Sequence, residues 1–382
     1  MRKKSFWSAV EKKAQEIGFS EIGFSGISDI SDMGEHLENW LQNGFHGDME
    51  YMERTKNVRK DPRGFLPNVK SVIVRTVGYY HDRMKARPRG RAFRDDDGIG
   101  GNAIIARYAA GRDYHKVIKK MLFELQEFIR AEYFPKSNES DFRLSLDAHP
   151  VMEKVWAEKA KLGFLGKNSC LITQKSGSWV LIGCIFTTVE IPRDDRKSSG
   201  PDFSKLNCGN CTRCTHACPT GAIVRPGLID ARKCIPYLTI ENKGGIPVEL
   251  REKIGNRIFG CDICQEVCPY NIPRQGKSPE DERLLKNPMM EKEIAGTQIL
   301  ISEILEMDSD EKFLKRFAGS PLMRAKRRGM IRNACIVAGN SGNAEFLPLL
   351  QKVIDRESDP MLKEHAEWGI NQLRIIQLRI TN

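Results

Sequence analysis

The chain mixes two hydrophobic periods before settling into one. Up to about residue 192, the apolar runs VKSVIVRTVGYY (69–80), RLSLDA (143–148) and SWVLIGCIFTTVEI (178–191) predict strands. Between them, HKVIKKMLFELQEFIRAEYF (115–134) and VMEKVWAEKAKLG (151–163) repeat apolar residues at helical spacing. The mixture predicts an α/β domain over residues 1–195. The stretch PRDDRKSSGPDFSK then reads as a linker into a cysteine-rich region, 196–283. After about Arg283 the pattern becomes helical throughout. SPLMR at 320 and DPMLK at 359 recur 39 residues apart with LPLLQKVI between them, which predicts an all-α, HEAT-like domain over 284–382, a plain helical cap being the alternative.

The N-terminal MRKKSFWSAVEKKAQEIGF predicts an amphipathic helix, because Glu11, Lys12, Lys13 and Glu16 interrupt the apolar stretch that a signal peptide needs. No run of 18 apolar residues occurs, so no membrane span is predicted and the cytoplasm is the expected compartment. With 382 residues, 40% of them hydrophobic, the chain can bury a sizeable core. Lys and Arg exceed Asp and Glu by 61 to 50, a net +11 that favours a polyanionic partner or else only a solvated basic surface. Eight basic residues and no acidic one fall between Lys312 and Arg332 (Lys312, Lys315, Arg316, Arg324, Lys326, Arg327, Arg328, Arg332). That density suits backbone phosphates, and equally a solvated helix face.

Cysteine spacing is more specific. Of 11 cysteines, Cys208, Cys211, Cys214 and Cys218, followed by Pro219, form the C-x2-C-x2-C-x3-C-P run of bacterial ferredoxins, whose fourth cysteine ligates the other cluster. A shift of 50 residues carries Cys211, Cys214, Cys218 and Pro219 onto Cys261, Cys264, Cys268 and Pro269, and puts Ile258 where Cys208 should recur. Cys234 is the replacement ligand inside the module. Crossed ligation then assigns Cys208, Cys211, Cys214 and Cys268 to one [4Fe-4S] cluster, and Cys218, Cys234, Cys261 and Cys264 to a second. A pair of zinc sites is the alternative, but zinc needs neither the third cysteine at x2 nor the terminal Cys-Pro. Cys170, Cys184 and Cys335 lie in apolar stretches and receive no role.

Two further segments carry candidate chemistry. LGFLGKNS (162–169) has Lys161 and Asn168 where a P-loop needs Gly and Ser or Thr, so it is either a helix-ending turn or a cradle for an anionic or amide-bearing cofactor. Asp147 follows the alternating RLSLD and precedes a helix, a place where side chains often face a ligand crevice. As a proton donor it needs a raised pKa, and a helix-capping aspartate is the alternative. His149 lies in D-x-H-x-x-Met rather than the D-x-H-x-x-G of cobalamin-ligating histidines, and is not an axial ligand.

Taken in order, GFHGDMEYM with Arg59, DPRGFLPNVKSVI, IARYAAGRDYHKVI, Asp147 with PVMEK, LGFLGKN, the cysteine module, CIPYLTIENKGGIP and GNRIFGCDICQEVCPYN resemble the epoxyqueuosine reductases over nearly the whole chain. The resemblance implies a cobalamin-binding α/β domain, a bacterial-ferredoxin-like 2[4Fe-4S] module and a tRNA-binding helical domain. It implies reduction of epoxyqueuosine to queuosine in tRNA, by cobalamin with electrons relayed through both clusters from an external low-potential donor, in a monomer. Asp147 matches the acid that protonates the departing oxygen. Arg59, Tyr108, Asp147, Lys167, Asn168 and Ser169 are the implied cofactor contacts, and Lys243, Arg324, Arg327, Arg328 and Arg332 the implied tRNA contacts. A reductive dehalogenase-like enzyme, which usually carries a twin-arginine export signal, and a non-catalytic iron-sulfur electron carrier are the alternatives.

Overall fold

The computed structural model describes residues 3–27, 31–80, 101–193, 206–271 and 294–381. Strands form at Glu21–Gly26 (β1), Ser71–Gly78 (β2), Asn102–Ile105 (β3), Phe142–Ser145 (β4), Gly163–Leu165 (β5), Leu171–Thr173 (β6), Val180–Thr187 (β7), Ile223–Arg225 (β8), Leu228–Ile229 (β9), Arg257–Phe259 (β10) and Gln298–Leu300 (β11).

The first layer is a sheet of order β1-β2-β7-β4 in which every neighbouring pair is antiparallel. Helices cover both faces. Lys3–Ile17 and Tyr114–Tyr133 press Phe6, Trp7, Ile118 and Leu122 onto Ile73, Val77 and Ile185. The helix Glu153–Lys159 presses Val155 and Trp156 onto Val72, Val74 and Phe186 from the other side. Covering on both faces explains why β2 is buried at every position and reads as one apolar run. The expected strands and helices are therefore present, and the sheet they form is antiparallel throughout. The helix expected at 151–163 stops at Lys159, because Lys161 takes a left-handed φ of 58° and turns the chain into β5.

A second sheet joins the three predicted regions. β3 pairs in parallel with β10 of the cysteine module and antiparallel with β11 of the C-terminal region. β11 corrects the reading of the chain after Arg283 as wholly helical. Ala103, Ile105, Ile258, Phe259, Ile299, Met330 and Ala334 share one core, so the three regions are not separate cores. The linker from residue 194 onward and the expected boundaries at 195 and 283 lie outside the described residues.

Inside the cysteine module the short helices Arg213–Ala217 and Ile263–Glu266 begin 50 residues apart, the period seen in the cysteines. C-terminal to it run Ile301–Leu305, Asp310–Phe317, Lys326–Asn340, Leu347–Arg356 and Pro360–Thr381. SPLMR leads into Lys326–Asn340 and DPMLK opens Pro360–Thr381, so the recurrence marks two helix starts. These two helices touch through glycines: a Cβ on Gly339 would sit 2.8 Å from the Gly369 Cα. Among the described residues no helix is long and apolar enough to cross a membrane.

Candidate active site and cluster module

Cysteines of each proposed set lie near one another. The thiol of Cys268 feels those of Cys208 and Cys214, and Cys208 and Cys268 share a pocket with Phe164 and Ile172. Cys211 stays in the same loop, donating its N–H to the Cys208 carbonyl at 2.9 Å. In the second group Cys234 feels Cys261 and Cys218, and Cys264 feels Cys261 and Cys234. Burial pushes Cys234 up to about 12 and Cys261 to about 11, so these thiols ionise when bound iron compensates their charge. Backbone N–H groups already aim at sulfur, Lys167 at Cys208 Sγ (3.4 Å) and Ala222 at Cys218 Sγ (3.3 Å), the kind of bond that tunes a cluster's potential. The residues fit two cubanes. Ile258, at the position where Cys208 would recur, is fully buried on β10 in the shared core.

The first domain holds the cluster loops tightly. Asn271 donates to Ser178 Oγ (2.7 Å), Ser178 to Gln265 Oε1 (2.8 Å), and Tyr79 to the same Gln265 oxygen (3.2 Å). Arg107 pairs with Asp262 (3.2 Å) and Glu266 (2.7 Å) under the Trp179 ring. The Lys167–Ser169 turn belongs to this joint. Lys167 Nζ donates to the carbonyls of Gly209 (2.7 Å) and Cys211 (3.0 Å), buried Asn168 to that of Cys264 (3.4 Å), and Ser169 Oγ to that of Gly227 (2.8 Å). This corrects the expectation that the turn's side chains reach for a corrin: their polar groups hold the cluster module. Cys170, given no role from sequence, lies within hydrogen-bonding reach of Cys264.

Asp147 stands just beyond β4, at the centre of a γ-turn closed by the Ala148 N–H and the Leu146 carbonyl, with a left-handed φ of 48°. Such strain in a non-glycine residue is typical of functional sites. Its side chain is 67% exposed. The Tyr114 hydroxyl donates to Asp147 Oδ2 at 2.5 Å, and His115 Nε2 lies 3.6 Å from the same oxygen. Partial desolvation by its neighbours raises this carboxyl, but the hydrogen bond from Tyr114, the nearby His115 imidazole and the charges of His115 and Lys154 more than offset it and hold it at about 2. The expected raised pKa is thus corrected: Asp147 is a carboxylate at neutral pH. The carboxyl that does rise is Glu153, which burial pushes up to about 7 although Ser145 Oγ donates to it at 2.7 Å.

Arg59 and Tyr108 lie near Asp147. Arg59 is half-buried, bonded to Thr55 Oγ1 (3.0 Å) and the Val151 carbonyl (3.3 Å), and feels Glu153, Tyr51 and Asp147. Tyr108 packs edge-on to Tyr114 with centroids 5.8 Å apart, and burial raises its pKa. Sequence reasoning missed Tyr51, Tyr114, His115 and Glu153. A signal for all four existed, since Tyr51 lies in GFHGDMEYM, Tyr114 and His115 in GRDYHKVI, and Glu153 in PVMEK. His149 places its ring 5.7 Å from that of Phe65.

The basic run splits by burial. Arg332 is 1% exposed and donates to the carbonyls of Leu238 (2.6 Å), Asn242 (2.8 Å) and Gly244 (2.6 Å), so its placement in the tRNA contact set is wrong: desolvation depresses it to about 10 and it braces the cluster module. Arg327 is largely enclosed, paired with Glu357 and bonded to the Met307 carbonyl (3.1 Å), a structural tie as well. Arg324, Arg328 and Lys243 are exposed. Arg324 pairs with Glu241 and feels Tyr51 and Asp147; Arg328 pairs with Asp359 and donates to the Lys243 carbonyl.

Comparison with known proteins agrees with this geometry. A profile for a 4Fe-4S double cluster binding domain matches residues 207–271, and one described as Epoxyqueuosine reductase QueG matches 59–148. The epoxyqueuosine reductase of Pseudomonas aeruginosa is 36% identical over 366 residues, 95% of this chain and 93% of the relative. That of Escherichia coli is 36% identical over 360 residues, 94% and 86%. Among solved structures, an epoxyqueuosine reductase with an epoxyqueuosine-modified tRNA-Tyr stem loop superposes with a TM-score of 0.77 at 29% identity, covering 97% of this chain and 91% of that one. The Bacillus subtilis enzyme, with its catalytic aspartate loop swung out of the active site, gives 0.78 at 28% identity over the same shares. The chain belongs to the epoxyqueuosine reductase family.

Proposed function

We propose that this chain reduces epoxyqueuosine to queuosine at the wobble position of tRNA, in the cytoplasm, taking two electrons through its two clusters from an external low-potential donor and releasing the epoxide oxygen as water. The observation that carries this reading is the strained, exposed Asp147 turn backed by Tyr114 and His115, in a domain whose Lys167–Ser169 turn is bonded to both cluster loops. Relatives of that name act on this nucleoside, and one was solved with the modified stem loop.

Residues around Asp147 fit a corrin. Arg59 has more N–H donors than its two hydrogen bonds use, suited to amide carbonyls, and Tyr51 and Tyr108 offer an aromatic wall with polar tips. What cobalamin supplies when bound is a strongly reducing cobalt centre for opening the epoxide. The chain's own part is to orient the nucleoside, exclude water and deliver protons. Asp147, fixed by Tyr114, is the group placed to protonate the departing oxygen. Arg324, Arg328 and Lys243 are exposed and take the phosphates flanking the wobble base, exchanging their carboxylate partners Glu241 and Asp359 for phosphate.

Anaerobically reduced, cluster-loaded protein with cobalamin converts epoxyqueuosine in tRNA to queuosine, read by nucleoside mass spectrometry. Asp147→Ala loses at least about 100-fold in rate while keeping its iron. Full activity in that variant removes Asp147 from the chemistry. A protein that takes up no corrin and converts no tRNA supports the electron-carrier reading instead.

A further inference from the structure

We infer that His115 is the proton-loading residue of this site, a positioning group that hands a proton to Asp147 for delivery to the oxygen leaving the substrate; the inference rests on the reductase reading above. His115 bridges two carboxylates. Its Nδ1 lies 2.8 Å from Asp113 Oδ1 and its Nε2 3.6 Å from Asp147 Oδ2. Asp113 is fixed in turn, because the same Oδ1 accepts the His115 backbone N–H at 3.0 Å as cap of the helix Tyr114–Tyr133. The imidazole stacks on Tyr114 with centroids 4.1 Å apart, and Tyr114 donates to the Asp147 oxygen that His115 approaches. Imidazole and phenol thus converge on one oxygen.

Behind the ring is a way in for protons. An open cavity of about 460 Å³ is lined by His115, Lys119, Glu139, Arg143 and His149 among others, and Asp147 is not part of its wall. His115 therefore links this cavity, whose wall also includes Leu146 and Ala148 on either side of Asp147, to the Asp147 carboxylate. The charged or titratable groups around it are Asp113, Tyr114 and Asp147 and, across the cavity, Lys119, Glu139, Arg143 and His149. Burial disfavours the imidazolium, but the bonds and charges of Asp113 and Asp147 more than offset it and raise His115 to about 9. The proton of the pair therefore rests on His115 at neutral pH, with Asp147 ionised.

In the reaction the imidazolium N–H breaks as an O–H forms on Asp147, and that O–H breaks as the departing oxygen takes the proton. The step is uphill to Asp147 alone, so the charge growing on the oxygen draws the proton through in one concerted movement. Two electrons come through the clusters from the external donor. Neutral His115 reloads from the cavity and supplies the second proton of the water released. Loading is complete well below about 9 and is lost as pH rises through that value.

The test uses cluster-loaded, cobalamin-supplemented protein with epoxyqueuosine tRNA in single turnovers across neutral and alkaline pH. Wild-type conversion falls as pH passes about 9. Asp113→Asn keeps the capping oxygen but removes the charge, and moves that limb down by about one pH unit or more. His115→Gln abolishes the limb and slows conversion about 100-fold or more, with iron, corrin binding and tRNA affinity kept. A histidine NMR titration without tRNA reads the same group independently of turnover: its midpoint lies near 9 and drops in Asp113→Asn and Asp147→Asn. An unmoved limb and midpoint in Asp113→Asn, or wild-type rates in His115→Gln, overturn the role of His115. Wild-type protein that converts no tRNA at any pH overturns the reductase reading, and this inference with it.

Discussion

Two stretches hold the densest chemical signals in the chain, the cysteines from Cys208 to Cys268 and the basic residues from Lys312 to Arg332, and the fold treats them differently. The cysteines of each proposed set lie near one another. The basic residues scatter: Arg332 goes into the interior, Arg327 into an enclosed ion pair, and Arg324 and Arg328 to the surface. A cluster needs four thiolates around one object, so ligand spacing encodes geometry. A charge run encodes none. Carboxylates from distant segments, Glu303, Glu241, Glu357 and Asp359, answer its charges one by one, and nothing in the run itself announces them.

The sharpest test of the cysteine side is Cys234→Ala. Iron falls from about eight atoms per chain to about four and turnover is lost, whereas Cys335→Ala keeps the full iron content. Iron unchanged in Cys234→Ala breaks the crossed assignment. On the basic side, Arg332→Met leaves the carbonyls of Leu238, Asn242 and Gly244 without their donor. Denaturant unfolding then shows a loss of about 2–5 kcal/mol while the salt dependence of tRNA binding stays as in wild type; a flattened salt slope returns Arg332 to the tRNA surface.

A third test addresses the same joint through pH. His365 is fully buried, accepts the Ile246 N–H on Nε2 at 3.1 Å, and is pushed down from 6.5 to about 4, chiefly by desolvation. Geometry and pKa direction agree on a neutral ring, so the 2.8 Å approach of Glu364 to Nδ1 is not an ion pair. The unfolded chain binds the extra proton first, so stability is present above about 6.5 and is lost as pH falls through the window down to about 4. Wild type loses on the order of 1–3 kcal/mol there relative to His365→Asn. Equal acid sensitivity in both removes His365 from the account. The smallest effect is expected at the exposed arginines, where Arg324→Ala and Arg328→Ala each lower the salt slope of tRNA binding by about one, with affinity falling a few-fold.

How much was legible follows the same division. The strands β2, β4 and β7 and the helix Tyr114–Tyr133 were readable because their periods are local. So were the period of the cysteines and the place of Asp147 just after β4. The antiparallel order of the sheet was not, since alternation of strands and helices is silent on strand direction. The ionisation of Asp147 was misread because burial was visible as a cause and the neighbouring His115 and Tyr114 were not, lying 32 and 33 residues upstream. Lys167 looked outward by motif, and only the cluster loop's carbonyls show where its ammonium goes.

The short strand β3 sets an order of events during synthesis. Its two neighbours, β10 and β11, begin at Arg257 and Gln298, far behind it on the ribosome. Until Leu300 has emerged, Asn102–Ile105 has an open edge and the floor under Tyr108 and Phe259 is unfinished. Contacts of such long range form late, so truncation anywhere before Leu300 leaves β3 without its β11 neighbour and the shared core incomplete.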